Sequence, residues 1–449
     1  MIFDRFRRKG GDSATEPLPQ PTADADDETS DDDTVGSEPE RIEVVDETPW
    51  SERAAAVIPG GSSTGSKRPA VIYGDDEMLD PLPTHYSRAR GASLFLVDGD
   101  REIEVIDCTM ALGSVALAYA DEHVTRAVVQ AAALGNVGGM PSTIEVSLAE
   151  RLVDFIPCAE QVRFLKSGAE AVSAAVRIAR TYTGRSHVVH SGYFGWHDWW
   201  SAIDVAGVPA AARADATHVA FDDIAALDRA VSEVRTDLAA IVIEPVVERM
   251  PSEAWIARAR QLASDTGAVL VFDEIKTGFR LRPGGYQELS GVEPDLATFG
   301  KAMANGFALS AVVGRADVMH AASRTWISST LAGETTGLAA AHAVLDWHEK
   351  EDVCASLATI GSQMKASVER AVVASGLPGI TISGLDQMWR LTFEDASIES
   401  RFVRHGVEHG ALFKRGAYNF AALAHEELIP EIEAAASASL VAIKESSRR

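Results

Sequence analysis

Lys301 stands in the run Phe299-Gly300-Lys301-Ala302-Met303, an apolar, glycine-containing setting. A lysine there is unusual, because lysines normally keep their ammonium in water. Partial burial disfavours the charged form and leaves a neutral amine that can add to a carbonyl; the alternative is an ordinary surface lysine. Asp273-Glu274 follow directly on Ala268-Val269-Leu270-Val271-Phe272. A carboxylate at the carboxyl end of a buried parallel strand lies where α/β folds bind ligands, although the pair would serve equally as a helix N-cap. Lys166-Ser167-Gly168-Ala169-Glu170 is a Ser-Gly turn opening a helical pattern. Such a turn offers backbone N–H groups and a hydroxyl to an anion, but taken alone it is a common helix start. Together, an amine, a carboxylate and a phosphate cradle match what pyridoxal phosphate (PLP) needs. The amine bonds its aldehyde, the carboxylate keeps its pyridine nitrogen protonated, and the helix start takes its phosphate.

The elements that must position these residues are readable from patterning. Ser167 to Thr181 has small and apolar residues at helical spacing. Val188-Val189, Ala239–Ile243 and Ala268–Phe272 are apolar runs of strand length separated by helical stretches, which argues for a mostly parallel sheet covered on both faces. Residues 94–107 read as a β-hairpin turning at Asp98-Gly99, and Leu338 to Lys350 as a helix. The fold class is therefore α/β, a large domain plus a smaller one. We divide the chain into an acidic tail (1–48), an N-terminal segment of the small domain (49–110), the large domain (111–345) and a C-terminal small domain (346–449).

Composition narrows the function classes. The net charge is −25, with runs such as Asp31-Asp32-Asp33 near the N-terminus; such a chain repels nucleic-acid phosphates. Residues 1–48 are rich in Asp, Glu, Ser, Thr and Pro, a composition that cannot bury enough apolar surface to order itself. No apolar run reaches the roughly 18 residues of a membrane span. The basic start, Met1 to Lys9, lacks the apolar stretch of a secretory signal. Cys108, Cys158 and Cys354 show neither metal spacing nor a disulfide framework, so the expectation is buried, reduced thiols in a cytoplasmic protein.

Three longer motifs make the chain recognisable: Phe164-Leu165-Lys166-Ser167-Gly168-Ala169-Glu170-Ala171, Val271-Phe272-Asp273-Glu274-Ile275-Lys276-Thr277-Gly278-Phe279-Arg280, and Pro294-Asp295-Leu296-Ala297-Thr298-Phe299-Gly300-Lys301. From about Pro59 to Lys444 the sequence resembles the class III aminotransferases of PLP fold type I, in the branch similar to glutamate-1-semialdehyde aminomutase. The resemblance implies that Lys301 forms the Schiff base and that Asp273 faces the pyridine nitrogen. It implies that Ser167, Gly168 and Ala169 bind phosphate, Ala169 standing where the family often has Thr. Tyr193 would stack on the cofactor ring, followed by Phe194 where the family often has His. Glu244 would be the acidic residue near the cofactor. Ser329 and Thr330 would reach the phosphate of the neighbouring subunit in a homodimer with shared active sites; capping of the helix that follows is their other reading.

Weaker candidates surround this set. Lys276 is a rival lysine that lacks the Gly-Lys context, yet is placed to face the site. Lys67 and Arg68 follow Pro59-Gly60-Gly61, where the aminomutase branch has a substrate-carboxylate arginine. The run Trp196-His197-Asp198-Trp199-Trp200 either lines a substrate mouth or packs as an aromatic surface, and Arg390 and Arg415 either bind a substrate carboxylate or, as the more ordinary role, form ion pairs. The expected activity is transfer of an amino group between a small-molecule donor and a carbonyl acceptor. The alternatives are intramolecular transfer, as in the aminomutase, and a non-catalytic homologue. Two departures weigh against the aminomutase activity: Leu112 precedes Gly113-Ser114 where that enzyme has Trp before Gly-Pro, and its C-terminal acidic residue falls near Ala417.

Overall fold

The computed structural model describes residues 48–74, 82–99, 101–201 and 206–446. The acidic tail is outside them except for Thr48, and so is Asp100 of the expected hairpin. Strands β1 (Tyr86–Arg90), β2 (Ser93–Asp98) and β3 (Arg101–Asp107) pair antiparallel in order, with Asp98 opposite Arg101. The expected hairpin is therefore β2–β3, its alternating residues setting the register.

The main sheet contains β4 (Gln161–Leu165), β5 (His187–Ser191), β6 (Ala216–His218), β7 (Leu238–Ile243), β8 (Val269–Asp273), β9 (Leu296–Phe299) and β10 (Ser310–Gly314). Their order across the sheet is β4-β10-β9-β8-β7-β5-β6. All neighbours are parallel except β10, which runs antiparallel to both β4 and β9. Every residue of β7, β8 and β9 is buried, which explains why these strands appear as unbroken apolar runs rather than alternating ones. On one face Val242, Val271, Leu296 and Val312 pack under the helix Gly168–Thr183. That helix presents Ala171, Ala174, Ala175 and Ala179 among its buried residues, small side chains that let it lie close to the sheet. On the other face Ile241, Leu270 and Phe272 meet Trp255, Ile256 and Leu262 of the helix Glu253–Thr266. The sheet brings the carboxyl ends of β7, β8 and β9 side by side, where the chain continues as Glu244, Asp273 and Gly300-Lys301.

A third sheet joins β11 (Ile380–Leu385), β12 (Met388–Phe393) and β14 (Asn419–Phe420), while β13 (Ala411–Leu412) pairs parallel with β3. Segments far apart in the chain thus share one sheet. The helix expected from Leu338 starts at Thr335. Its cap is the Glu334 carboxylate, which accepts from the N–H groups of Thr336 and Gly337 at 3.0 and 2.9 Å, so Ser329 and Thr330 do not serve as the helix cap. Cys108, Cys158 and Cys354 are buried and free. Among the described residues no helix is long and apolar enough to cross a membrane.

Candidate active site

A cavity of about 360 Å³ opens at the carboxyl ends of these strands, and Glu244, Asp273, Lys276, Lys301, Gly168, Ala169 and Tyr193 all line it. Residues spread along the chain from Gly168 to Lys301 therefore meet at one place. Asp273 ends β8 and is 4% exposed. Its Oδ1 accepts from the Ile275 N–H at 3.0 Å and from Thr298 Oγ1 at 3.1 Å; among the described residues nothing donates to Oδ2. Burial, and secondarily the charge of Glu244, push its carboxyl up to about 7.

Glu244 is held from two sides. Its Oε1 lies 2.6 Å from Lys276 Nζ, and its Oε2 accepts from the Tyr193 N–H at 3.1 Å. Lys276 also donates to the Val247 carbonyl at 3.3 Å and sits 4.8 Å from the centre of the Tyr418 ring. Tyr418 in turn donates its hydroxyl to the same carbonyl at 2.5 Å. Lys301 follows the extended Gly300 and adopts φ 48 at the start of a short 3-10 turn, Lys301–Ala304. Among the described residues its amine has no hydrogen-bond or ion-pair partner. Burial first, and then the Lys276 ammonium, pull its proton affinity below the ordinary lysine value, against the opposing charges of Glu244 and Asp273.

The Ser167-Gly168 turn opens a helix as expected. Ser167 is the N-cap of Gly168–Thr183 in a capping box: Ser167 Oγ accepts from the Glu170 N–H, and Glu170 Oε2 accepts from the Ser167 N–H at 2.9 Å. Its hydroxyl is thus already engaged by the helix. The Gly168 and Ala169 N–H groups stand at the first two helical positions, which have no intrahelical acceptor. A Cβ on Gly168 would lie 2.6 Å from Ile275 Cδ1, so the turn approaches the Asp273 segment as closely as a glycine allows. The preceding residue, Lys166, lines the cavity too; its ammonium pairs with Glu334 Oε1 at 2.6 Å and bonds the Ala308 carbonyl at 3.0 Å.

Other candidates are placed elsewhere. Lys67 and Arg68 are exposed, do not line the cavity, and belong to a short turned segment where Arg68 folds over Gly60. Ser329 is half-buried and Thr330 exposed, also away from the cavity of their own chain. Arg390 pairs with Glu248, and Arg415 Nε lies 4.0 Å from Glu399 Oε2, so both are ion-pair residues. His197 bonds Ser173 Oγ through Nδ1 at 2.7 Å. Phe194 and Trp200 pack edge-on in a buried aromatic cluster, whereas Trp196 is 76% exposed. Sequence reasoning missed Lys166, Ser114 and Tyr418. Only Lys166 carried a signal, as a cation next to the phosphate turn.

The donor set suits pyridoxal phosphate. Asp273 Oδ2 is the unmet acceptor for a pyridine N–H, the helix start supplies amides for a phosphate, and an unpaired amine adjoins both. The family model described as aminotransferase class-III matches residues 75–424. Among curated relatives, the 2'-deamino-2'-hydroxyneamine transaminase of Streptomyces kanamyceticus is 36% identical, over 73% of this chain and 86% of its own. The glutamate-1-semialdehyde 2,1-aminomutase of Rhodopirellula baltica is 32% identical, over 78% of this chain and 81% of its own. The solved structure of the FumI protein of Sphingopyxis sp. MTA144, in its PLP internal aldimine form, superposes with a TM-score of 0.82 at 27% identity, covering 89% of this chain and 96% of that one.

Proposed function

The chain belongs to the class III aminotransferase family, a PLP-dependent enzyme family, and we propose that it transfers an amino group between a small-molecule donor and a carbonyl acceptor with Lys301 as the cofactor-bearing amine. The observation that carries this assignment is that, of the three lysines lining the cavity, Lys166 and Lys276 are bound to carboxylates, whereas Lys301 has no partner among the described residues.

Pyridoxal phosphate supplies an aldehyde for amine exchange and a ring that takes up the electron pair left when the substrate carbon loses its proton. Asp273, whose Oδ1 is fixed by Ile275 and Thr298, would keep the ring nitrogen of the cofactor protonated. The amides of Gly168 and Ala169 would bind the phosphate, while Ser167 shapes the turn as its cap. Lys301, with its depressed proton affinity, would hold the cofactor and would take up the proton lost by the substrate carbon. Tyr193 would cover the ring, and Glu244 fixes the Tyr193 backbone and the Lys276 ammonium. Lys276 is placed to meet a substrate carboxylate. The domain division at residues 110 and 345, the homodimer with Ser329 and Thr330 facing the partner's phosphate, and a cytoplasmic location belong to the same reading.

Purified protein should show a visible absorbance band with PLP, and borohydride should fix the cofactor on the peptide containing Lys301. Cofactor fixed on another lysine would refute the assignment. Intramolecular transfer, the activity named for the Rhodopirellula relative, is the second reading. One candidate substrate supplied without an amino acceptor separates them: a mutase turns over, whereas an aminotransferase stops after one half-reaction.

A further inference from the structure

Arg280 has no exposed surface, and among the described residues no carboxylate pairs with it. Its Nη1 donates to the Ala421 carbonyl at 2.7 Å, and its Nη2 to the carbonyls of Gly113 and Val115 at 3.1 and 3.0 Å. Its Cζ lies 5.0 Å from the centre of the Phe420 ring. Burying a cation against carbonyls alone is costly compared with an apolar side chain of the same volume, so what it binds matters.

The Gly113 and Val115 carbonyls flank Ser114, which lines the cavity. Just before them the backbone makes one left-handed turn: Met110 (φ 41), Ala111 (φ 49), Leu112 (φ 60) and Gly113 (φ 79). Three consecutive side-chain-bearing residues in that region bring each Cβ against the following carbonyl, a conformation that persists only where its surroundings enforce it. Gly113 has no room for a side chain, since a Cβ would lie 2.7 Å from Phe420 Cε1. Past Ser114, Asn305 Oδ1 accepts from the N–H groups of Ala116 and Leu117 at 3.0 and 3.1 Å, and its Nδ2 donates to the Ala118 carbonyl at 3.0 Å. The segment from 113 to 118 is thus tied by two side chains. Arg280 comes from the loop that begins at Asp273, and Asn305 ends the turn that begins at Lys301.

We propose that Arg280 is a positioning residue of the amino-transfer site: by binding the carbonyls on either side of Ser114 it holds Met110–Gly113 in its left-handed form and fixes the Ser114 wall of the cavity against the loop carrying Asp273. The proposal rests on reading this cavity as the amino-transfer site. The charge has a second consequence. Four charged groups act on Lys301 besides burial: Lys276 and Arg280 disfavour its protonation, and Glu244 and Asp273 favour it. Loss of the Arg280 cation should let Lys301 keep its proton to higher pH.

The test uses PLP-loaded enzyme and whichever of L-glutamate, L-alanine and L-glutamine converts the visible band of the wild type. It follows the rate of conversion against donor concentration and pH in R280M, R280K, L112G and the double variants L112G/R280M and L112G/R280K. R280M should raise the half-saturating donor concentration about tenfold or more and move the acid limb of the rate profile to higher pH. R280K keeps a charge but not the planar fork that spans separate carbonyls, so it should raise the half-saturating concentration while leaving the acid limb in place. Leu112→Gly removes the Cβ penalty of the left-handed turn and should recover at least about threefold of either loss. Should R280M fail to fold, R280K and L112G/R280K carry the test. A merely structural role predicts a lower melting temperature with unchanged donor dependence and no relief by Leu112→Gly; that result overturns the proposal. If the wild-type protein shows no band and no conversion with any amine, the functional reading itself fails. If the wild type converts and both Arg280 variants match it, only the positioning role fails.

Discussion

The ammonium of Lys276 stands 2.6 Å from Oε1 of Glu244, and the two side chains are 10% and 12% exposed. This pair separates the two lysines near Asp273 by chemistry rather than by motif. An ammonium engaged by a buried carboxylate is not presented as a free nucleophile. Lys301, with no such partner among the described residues and with Lys276 repelling its proton, is the amine suited to carbonyl chemistry.

Lys301→Ala should abolish the visible band formed with PLP and lower amino transfer by at least about 10³-fold, the scale of losing a covalent and proton-transferring group. Lys276→Ala should keep the band and change donor dependence instead. Absorbance and single-turnover rates of both variants check this; transfer by K301A at the wild-type rate would remove Lys301 from the mechanism.

Asp273 and Glu274 should make the cofactor-free protein less stable as pH rises. Both carboxyls stand near 7 in the folded protein, chiefly through burial, above ordinary values of 3.8 and 4.5. The native state therefore binds more protons than the unfolded chain in between; this contribution is fully present below about 4 and is lost as pH rises through about 7. Melting temperature of the cofactor-free protein should fall over that window, and Asp273→Asn should flatten the slope. The same variant should still bind PLP but slow transfer on the order of 10²-fold, because the ring nitrogen loses its charged partner. A slope identical to the wild type would contradict the proton linkage.

Gly195→Ala should weaken cofactor binding. Gly195 has φ +85, and a Cβ there would collide with the Ala169 Cβ at the phosphate turn. The backbone strain and the overlap together should cost about 1–3 kcal/mol. Titration with PLP should show a dissociation constant raised about fivefold or more; an unchanged constant would mean the turn can move aside freely.

The proposed homodimer is checked by dilution. Thr330 and Leu331 are exposed, and Trp326 is 82% exposed, near a helix whose cap is supplied by Glu334. Light scattering and activity followed down one dilution series should fall together, and Thr330→Ala should weaken PLP binding without dissociating the dimer. A fully active monomer would end the shared-site reading.

Deleting residues 1–48 should leave PLP binding and transfer within about twofold of the full chain, since the segment has the composition of a solvated tail. Loss of soluble enzyme on deletion would show that the segment contributes to the fold.

The sequence by itself determined the strands and the reactive residue types that stand at their ends. Runs such as Ala239–Ile243 and Ala268–Phe272 are apolar throughout because both faces of their strands are covered, and this shows without any partner being known. Asp273 is legible because it terminates such a run, Glu244 through its match to the family motif, and Ser167 because a Ser-Gly start is a local, short-range signal. What only the tertiary structure decided are the pairings across long separations. Lys276 meets Glu244, Lys166 meets Glu334, and Arg280 reaches the carbonyls of Gly113, Val115 and Ala421. An ion pair leaves no periodicity in the chain, and a side chain bonded to a carbonyl selects for backbone position, not residue type. The Ser167 hydroxyl shows the same limit. Its residue type fits a phosphate ligand and a helix cap equally, and the Glu170 N–H and carboxylate, brought round by one helical turn, engage it as the cap.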